Sequence, residues 1–150
     1  MKIIKLKISL HRKCVEKQQD VVDNALSSMD EAQKAANEYG PPKDRYDSFR
    51  TQLLRKRDMY AEQYEKALKD LDYLQKINPE LSNSRVNINT LVITDKQPFY
   101  ITIGLGKIEM DGTTYFVISP VAPIYQALKD KKAGDTVIFN GQKITIKEVR

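Results

Sequence analysis

Alternating steps of four and three residues from Ile4 pass through Ile4, Ile8, His11, Val15, Gln18, Val22, Ala25, Met29, Ala32 and Ala36. This is the seam of a long coiled-coil helix, with two polar breaks and a turn to alanine towards its far end. Small seam residues let a partner helix approach closely, so the pair should narrow there. The stretch Ile4-Lys5-Leu6-Lys7-Ile8 also alternates like a strand, but the heptad phase runs back through it and selects helix. Gly40-Pro41-Pro42 stops the helix, because Pro lacks the N–H and clashes with the preceding turn while Gly favours the left-handed position after a helix end. A second seam, Tyr46, Phe49, Leu53, Arg57, Tyr60, Tyr64, Ala67, Leu71 and Leu74, predicts a returning helix. Its successive four-residue steps at Phe49, Leu53 and Arg57 resemble a stutter. Its aromatic residues supply bulk opposite the alanines of the first helix. Two helices of about 30 residues, each roughly 45 Å long, would fold back on one another as an antiparallel hairpin.

Pro79 and the Asn/Ser cluster around it predict a linker, after which the apolar period falls to two. Strands are expected at Val86–Thr94, Phe99–Ile103, Lys107–Met110, Thr113–Ile118, Thr136–Phe139 and Lys143–Val149. Asp111-Gly112 and Asn140-Gly141 are two-residue hairpin signals. Pro123 can open a short helix over Ile124–Lys129. The fold class is α+β: a coiled-coil hairpin over 1–78, a linker over 79–85, and a small, mostly antiparallel sheet domain with one helix over 86–150.

Charge sharpens this picture more than composition does. The 150 residues carry a net charge of +5, and Lys2, Lys5, Lys7, Arg12, Lys13 and Lys17 against Glu16 concentrate that excess at the N-terminus. A second basic group, Arg50, Arg55, Lys56 and Arg57, lies on the returning helix. Both suit an acidic partner such as nucleic acid, or a solvated helix face. With Cys14 the one cysteine and His11 the one histidine, an intrachain disulfide is excluded and a histidine zinc site or catalytic triad is disfavoured. Cys14 reads as a small packing residue. No signal peptide and no membrane span of roughly 20 apolar residues is apparent, so the expected location is the cytoplasm. The chain is expected to be a monomer.

The candidate chemistry sits at the hairpin tip. Asp44 and Asp47 are three residues apart at the start of the returning helix, and such residues share a helix face. Magnesium is often held by one or two protein carboxylates with phosphate and water completing the shell, so the pair could add to a metal site owned largely by a partner. Asp44 is equally placed to be the helix N-cap, with Asp47 at the third helical position. Glu38 is a further acid beside the turn.

The segment Ala122-Pro123-Ile124-Tyr125-Gln126-Ala127-Leu128-Lys129-Asp130-Lys131-Lys132-Ala133-Gly134-Asp135-Thr136-Val137 resembles the Ser-Pro-Ile-x-x-Ala-Leu-x-x-Lys-x-x-Gly-Asp-x-Val signature of the Gre transcript-cleavage factors, in the same spacing. It departs at Ala122, where the family has a capping Ser. The first half is similar to that family in architecture more than in residues. The resemblance implies an FKBP-like C-terminal domain that docks on bacterial RNA polymerase through Pro123, Ile124, Ala127, Leu128, Gly134 and Asp135. It also implies a coiled coil passed down the secondary channel to the active centre. Gre factors present a Gly-Asp-x-x-Glu-Asn tip there, which helps hold the second magnesium ion during cleavage of backtracked RNA. Laid on this chain, Gly40 and Asp44 match the Gly and the Glu, whereas Pro41 and Arg45 replace the first acid and the Asn.

By this resemblance the protein is an accessory factor rather than an enzyme, with Asp44 and Asp47 assisting the polymerase's Mg2+ and with Arg50, Arg55, Lys56 and Arg57 near the nascent RNA. The expected function is regulation of elongation with stimulation of intrinsic RNA cleavage. The alternative is a channel binder that lacks cleavage activity and competes with Gre factors. A prolyl isomerase is a rival of a different class, disfavoured by the lack of Trp and by scattered aromatics in the C-terminal part.

Overall fold

The computed structural model describes residues 2–45 and 47–150. Tyr46, assigned to the second seam by the pattern, lies outside them. Helix α1 spans Ile3–Tyr39 and α2 spans Ser48–Lys76, followed by β1 Thr90–Thr94, β2 Phe99–Ile101, β3 Gly106–Met110, β4 Thr113–Ile118, α3 Pro123–Leu128, β5 Thr136–Phe139 and β6 Gln142–Val149. The expected α+β architecture is present. The contacts divide the chain into one unit of Met1–Glu16 with Leu74–Arg150 and another of Lys17–Tyr73, so the open end of the hairpin clusters with the sheet and not with the rest of the coil.

In the first unit the six strands form one sheet in the order β3-β4-β2-β1-β6-β5. All neighbours are antiparallel except β2 and β4. Both faces of its centre are buried, which is why β1 and β2 read as nearly unbroken apolar runs. Val92, Phe99, Ile101, Ile144 and Ile146 pack with Tyr125 and Leu128 of α3. On the other face Leu91, Tyr100, Tyr115 and Val117 pack with Leu10, Cys14 and Leu74 from the helices. The hairpin signals fold as expected: Asp111 and Gly112, and likewise Asn140 and Gly141, all take positive φ, the requirement of a tight turn matched to strand twist.

Several boundaries differ from the pattern. The first strand begins at Thr90 rather than Val86, because Asn89 takes φ 62° and breaks the extended run. Val86 is nevertheless fully buried and pairs its backbone with Asp130 and Lys131. β2 stops at Ile101, and the amide of Thr102 instead donates to the Ile118 carbonyl. Helix α2 begins at Ser48, so Asp44 is in the turn and Asp47 occupies the cap position expected of Asp44.

In the second unit the seam residues Gln18, Val22, Ala25, Ala32 and Ala36 of α1 are buried, as are Ala67 and Leu71 of α2. Gln18 is tolerated because its Nε2 donates to the Ala67 carbonyl at 2.9 Å, which satisfies a buried polar group. Phe49 leaves the seam. It is 55% exposed and tilts against Tyr39 with ring centroids 5.0 Å apart.

Candidate functional site

The tip is built outward from Gly40, whose φ of 85° ends α1 and whose amide donates to the Ala36 carbonyl at 3.1 Å. Arg50 Nε closes the turn by donating to the Gly40 carbonyl at 2.9 Å. Asp47 is the hub. Its Oδ1 accepts from the Arg50 amide at 3.2 Å, its Oδ2 accepts from the Lys43 amide at 2.8 Å, and the Tyr39 hydroxyl reaches both oxygens at 3.0 and 2.8 Å. The Lys43 amide, with the Tyr39 hydroxyl and the Arg50 amide behind it, holds the Asp47 carboxyl below its ordinary value. The same contact with Asp47 pushes the Tyr39 phenol up. Lys43 Nζ lies 5.0 Å from the centre of the Tyr39 ring and donates to the Tyr39 carbonyl.

These contacts decide what Asp47 can do chemically. Its carboxylate accepts from three donors that cap α2 and tie the turn together. Among the described residues no group of three or more His, Cys, Asp or Glu could hold a metal ion. Asp47 serves the cap, and Asp44 is not brought onto the returning helix beside it. Asp44 is exposed in the turn and shares no helix face with Asp47.

The basic group on α2 is dispersed rather than assembled. At about 100° per residue, Arg50 and Arg57 share one side of the helix, Lys56 falls towards the seam and Arg55 faces away from it. Arg57 bridges to α1, donating to Gln33 Oε1 at 2.9 Å and pairing with Asp58 at 2.7 Å. Arg50 belongs to the turn. Arg55 and Lys56 remain the exposed members, each beside a shallow cleft.

The C-terminal signature residues hold the small domain together. Pro123 starts α3, and Ala122 before it makes no side-chain cap. Leu128 is fully buried in the core and has no surface to offer a partner. Gly134 takes φ 95°, and Asp135 Oδ2 accepts from the Lys132 amide at 2.9 Å to fix the turn into β5. Pro123 is exposed, and Ile124, Ala127 and Asp135 are half-buried.

No protein-family model matches the chain, and no curated protein matches its sequence. Solved structures similar to it include the transcription factor Gfh1, at 15% identity over 91% of this chain and 92% of that one, with a TM-score of 0.38. Another is the GreA factor homolog 1 (Gfh1) protein of Thermus thermophilus, at 12% identity over 91% and 94% of the two chains, with a TM-score of 0.35. Identities this low leave the functional reading to the residues of this chain.

Two polar side chains are buried beneath the sheet: His11, a polar break in the expected seam, and Lys7, which the pattern did not single out. Lys7 is 1% exposed, and its Nζ donates to the Leu81 carbonyl at 2.7 Å. Burial lowers its pKa to about 8. One turn on, His11 Nε2 lies 2.8 Å from the Leu74 carbonyl and Nδ1 lies 2.8 Å from the Tyr100 hydroxyl. A carbonyl only accepts, so Nε2 carries the hydrogen and Nδ1 accepts from the tyrosine. Burial depresses the His11 pKa and keeps the ring neutral. The available signal was a second stripe, Ile3, Leu6, Lys7, Leu10 and Cys14, alongside the seam, which marks a helix buried over a wide arc. At the tip, the signal was Tyr39 directly before the helix-ending glycine.

Proposed function

We propose that this protein is a Gre-like factor that binds bacterial RNA polymerase, enters its secondary channel with the hairpin tip, and regulates elongation without supplying a metal-binding acid pair. The binding half of this reading is carried by the Pro123–Val137 signature. Its spacing follows from the helix start at Pro123, the buried Leu128 and the Gly134-Asp135 turn, and it stands after an N-terminal helical hairpin as in the family it resembles. The regulatory half is supported by the tip. Asp47 is bound up in the cap, Pro41 stands where the family has its first acid, and Arg45 adds positive charge where a metal ligand would need none.

The test is a pulldown with core polymerase followed by RNA cleavage in backtracked complexes containing magnesium. The expected result is retention on the polymerase, no acceleration of cleavage, and inhibition of cleavage stimulated by an added Gre factor. Accelerated cleavage that is lost in Asp44→Asn/Asp47→Asn would overturn the regulatory half. Failure to bind polymerase would overturn the whole reading.

A further inference from the structure

The first four turns of α1 carry a surface that the tip does not use. Lys7, Leu10, His11 and Cys14 are buried, and at about 100° per residue Lys5 and Arg12 fall roughly opposite that arc. Lys2, Lys5, Arg12 and Lys13 are all exposed, with Glu16 beside them and with Glu148 and Arg150 sharing a shallow cleft with Lys2. Lys5, Arg12 and Lys13 are spread along roughly 12 Å of helix axis, within reach of successive phosphates for side chains this long.

The character of this face selects among acidic partners. A protein interface is organised around an apolar or aromatic centre, and among the described residues of α1 no large apolar side chain before Val21 is exposed. Single-stranded nucleic acid is gripped by stacking bases on aromatic rings, and the chain has no Phe, Tyr or Trp before Tyr39. What remains is a row of cations suited to a regular phosphate backbone, which confers affinity without reading sequence. We propose that Lys2, Lys5, Arg12 and Lys13 form a contact surface for the phosphate backbone of duplex DNA. The surface lies wholly within the sheet-containing unit and stands whether or not the tip enters a polymerase.

The experiment is fluorescence anisotropy of the full chain with a labelled mixed-sequence DNA duplex, titrated between about 50 and 200 mM salt. Four phosphate contacts give a log–log salt slope of about −3.6, or roughly 150-fold weaker binding across that range. Lys5→Gln/Arg12→Gln/Lys13→Gln should reduce the slope to about −0.9. Lys5→Arg/Arg12→Lys/Lys13→Arg should keep it, and Arg55→Gln/Lys56→Gln on α2 should leave it unchanged. Helical circular dichroism equal to that of the parent shows that the triple Gln variant is folded; if it is not, each single Gln substitution should lower the slope by about 0.9. The proposal is overturned by no duplex binding at the lowest salt, by slopes unaltered in the Gln variants, or by oligo-dT or polyglutamate binding as tightly as the duplex.

Discussion

Two stretches of the same helix are buried in opposite ways. From Lys17 onwards α1 packs on α2 through small residues, Ala25, Ala32 and Ala36, with Gln18 as its one fully buried long polar side chain. Before Glu16 it packs on a sheet with Leu10 and Cys14 and also buries Lys7 and His11. The alanine seam gains close approach at little side-chain entropy cost. The basal region gains more apolar area but must satisfy two ionisable groups through the carbonyls of Leu81 and Leu74. The narrow helix pairing is built mainly from small residues with one neutral polar side chain, whereas wedging a helix under a sheet here brings two ionisable groups into the core, where each has few partners.

The largest effect that would sharpen this contrast is Leu10→Ala, which leaves a void at a fully buried site and should cost about 2–5 kcal/mol in denaturant unfolding. Ala32→Gly, on the alanine seam, should cost only about 1 kcal/mol. Equal costs would break the comparison.

Next in size is Lys7→Met. It removes a buried charge with one carbonyl partner and should stabilise the protein by about 1–3 kcal/mol near neutral pH. Because the Lys7 pKa is lowered from 10.5 to about 8, native Lys7 supports folding above the unfolded value and loses that support as pH falls towards 8. The advantage of Met should therefore be full below about pH 8 and shrink as pH rises towards 10.5. A constant difference across that window would show that Lys7 is not held in the core.

The smallest effect is at the tip. Asp47→Ala should speed amide hydrogen exchange at Arg50 and Thr51 while leaving the sheet amides unchanged, since it removes the cap and the tie to Lys43. Asp47→Asn should restore most of the protection, because Asn also caps helices. The lowered Asp47 pKa gives the sign with acid: the cap's contribution is present above the ordinary carboxylate value and is lost as pH falls through the depressed one. Protection that persists in Asp47→Ala would show that the turn is held by Arg50 and Gly40 instead.

Much of the architecture was legible because it follows from local rules. The glycines at Gly40, Gly112 and Gly141 need left-handed backbone, Pro123 can only begin a helix, and the heptad seam in α1 requires a partner. The candidate site was less legible for the same reason. Asp44 was the expected N-cap with Asp47 at the third helical position, yet Asp47 takes the cap because of where Tyr39 and the Lys43 amide lie once the turn closes. The basic run on α2 looked like one patch, but helical rotation distributes it. Phe49 matched the seam spacing, yet it packs on Tyr39 because the turn delivers that ring to it.

The sequence by itself determined the two helices, the turn between them, the order of strands along the chain and the placement of charge, since each depends on backbone geometry or periodicity within a few residues. Only the tertiary structure decided that Asp47 and not Asp44 caps α2, that Leu128 is core, that Lys7 is buried, and which groups His11 meets. These outcomes turn on contacts between residues far apart in the chain, such as Lys7 with Leu81 and His11 with Tyr100. No local pattern records which carbonyl or hydroxyl will meet a buried polar group.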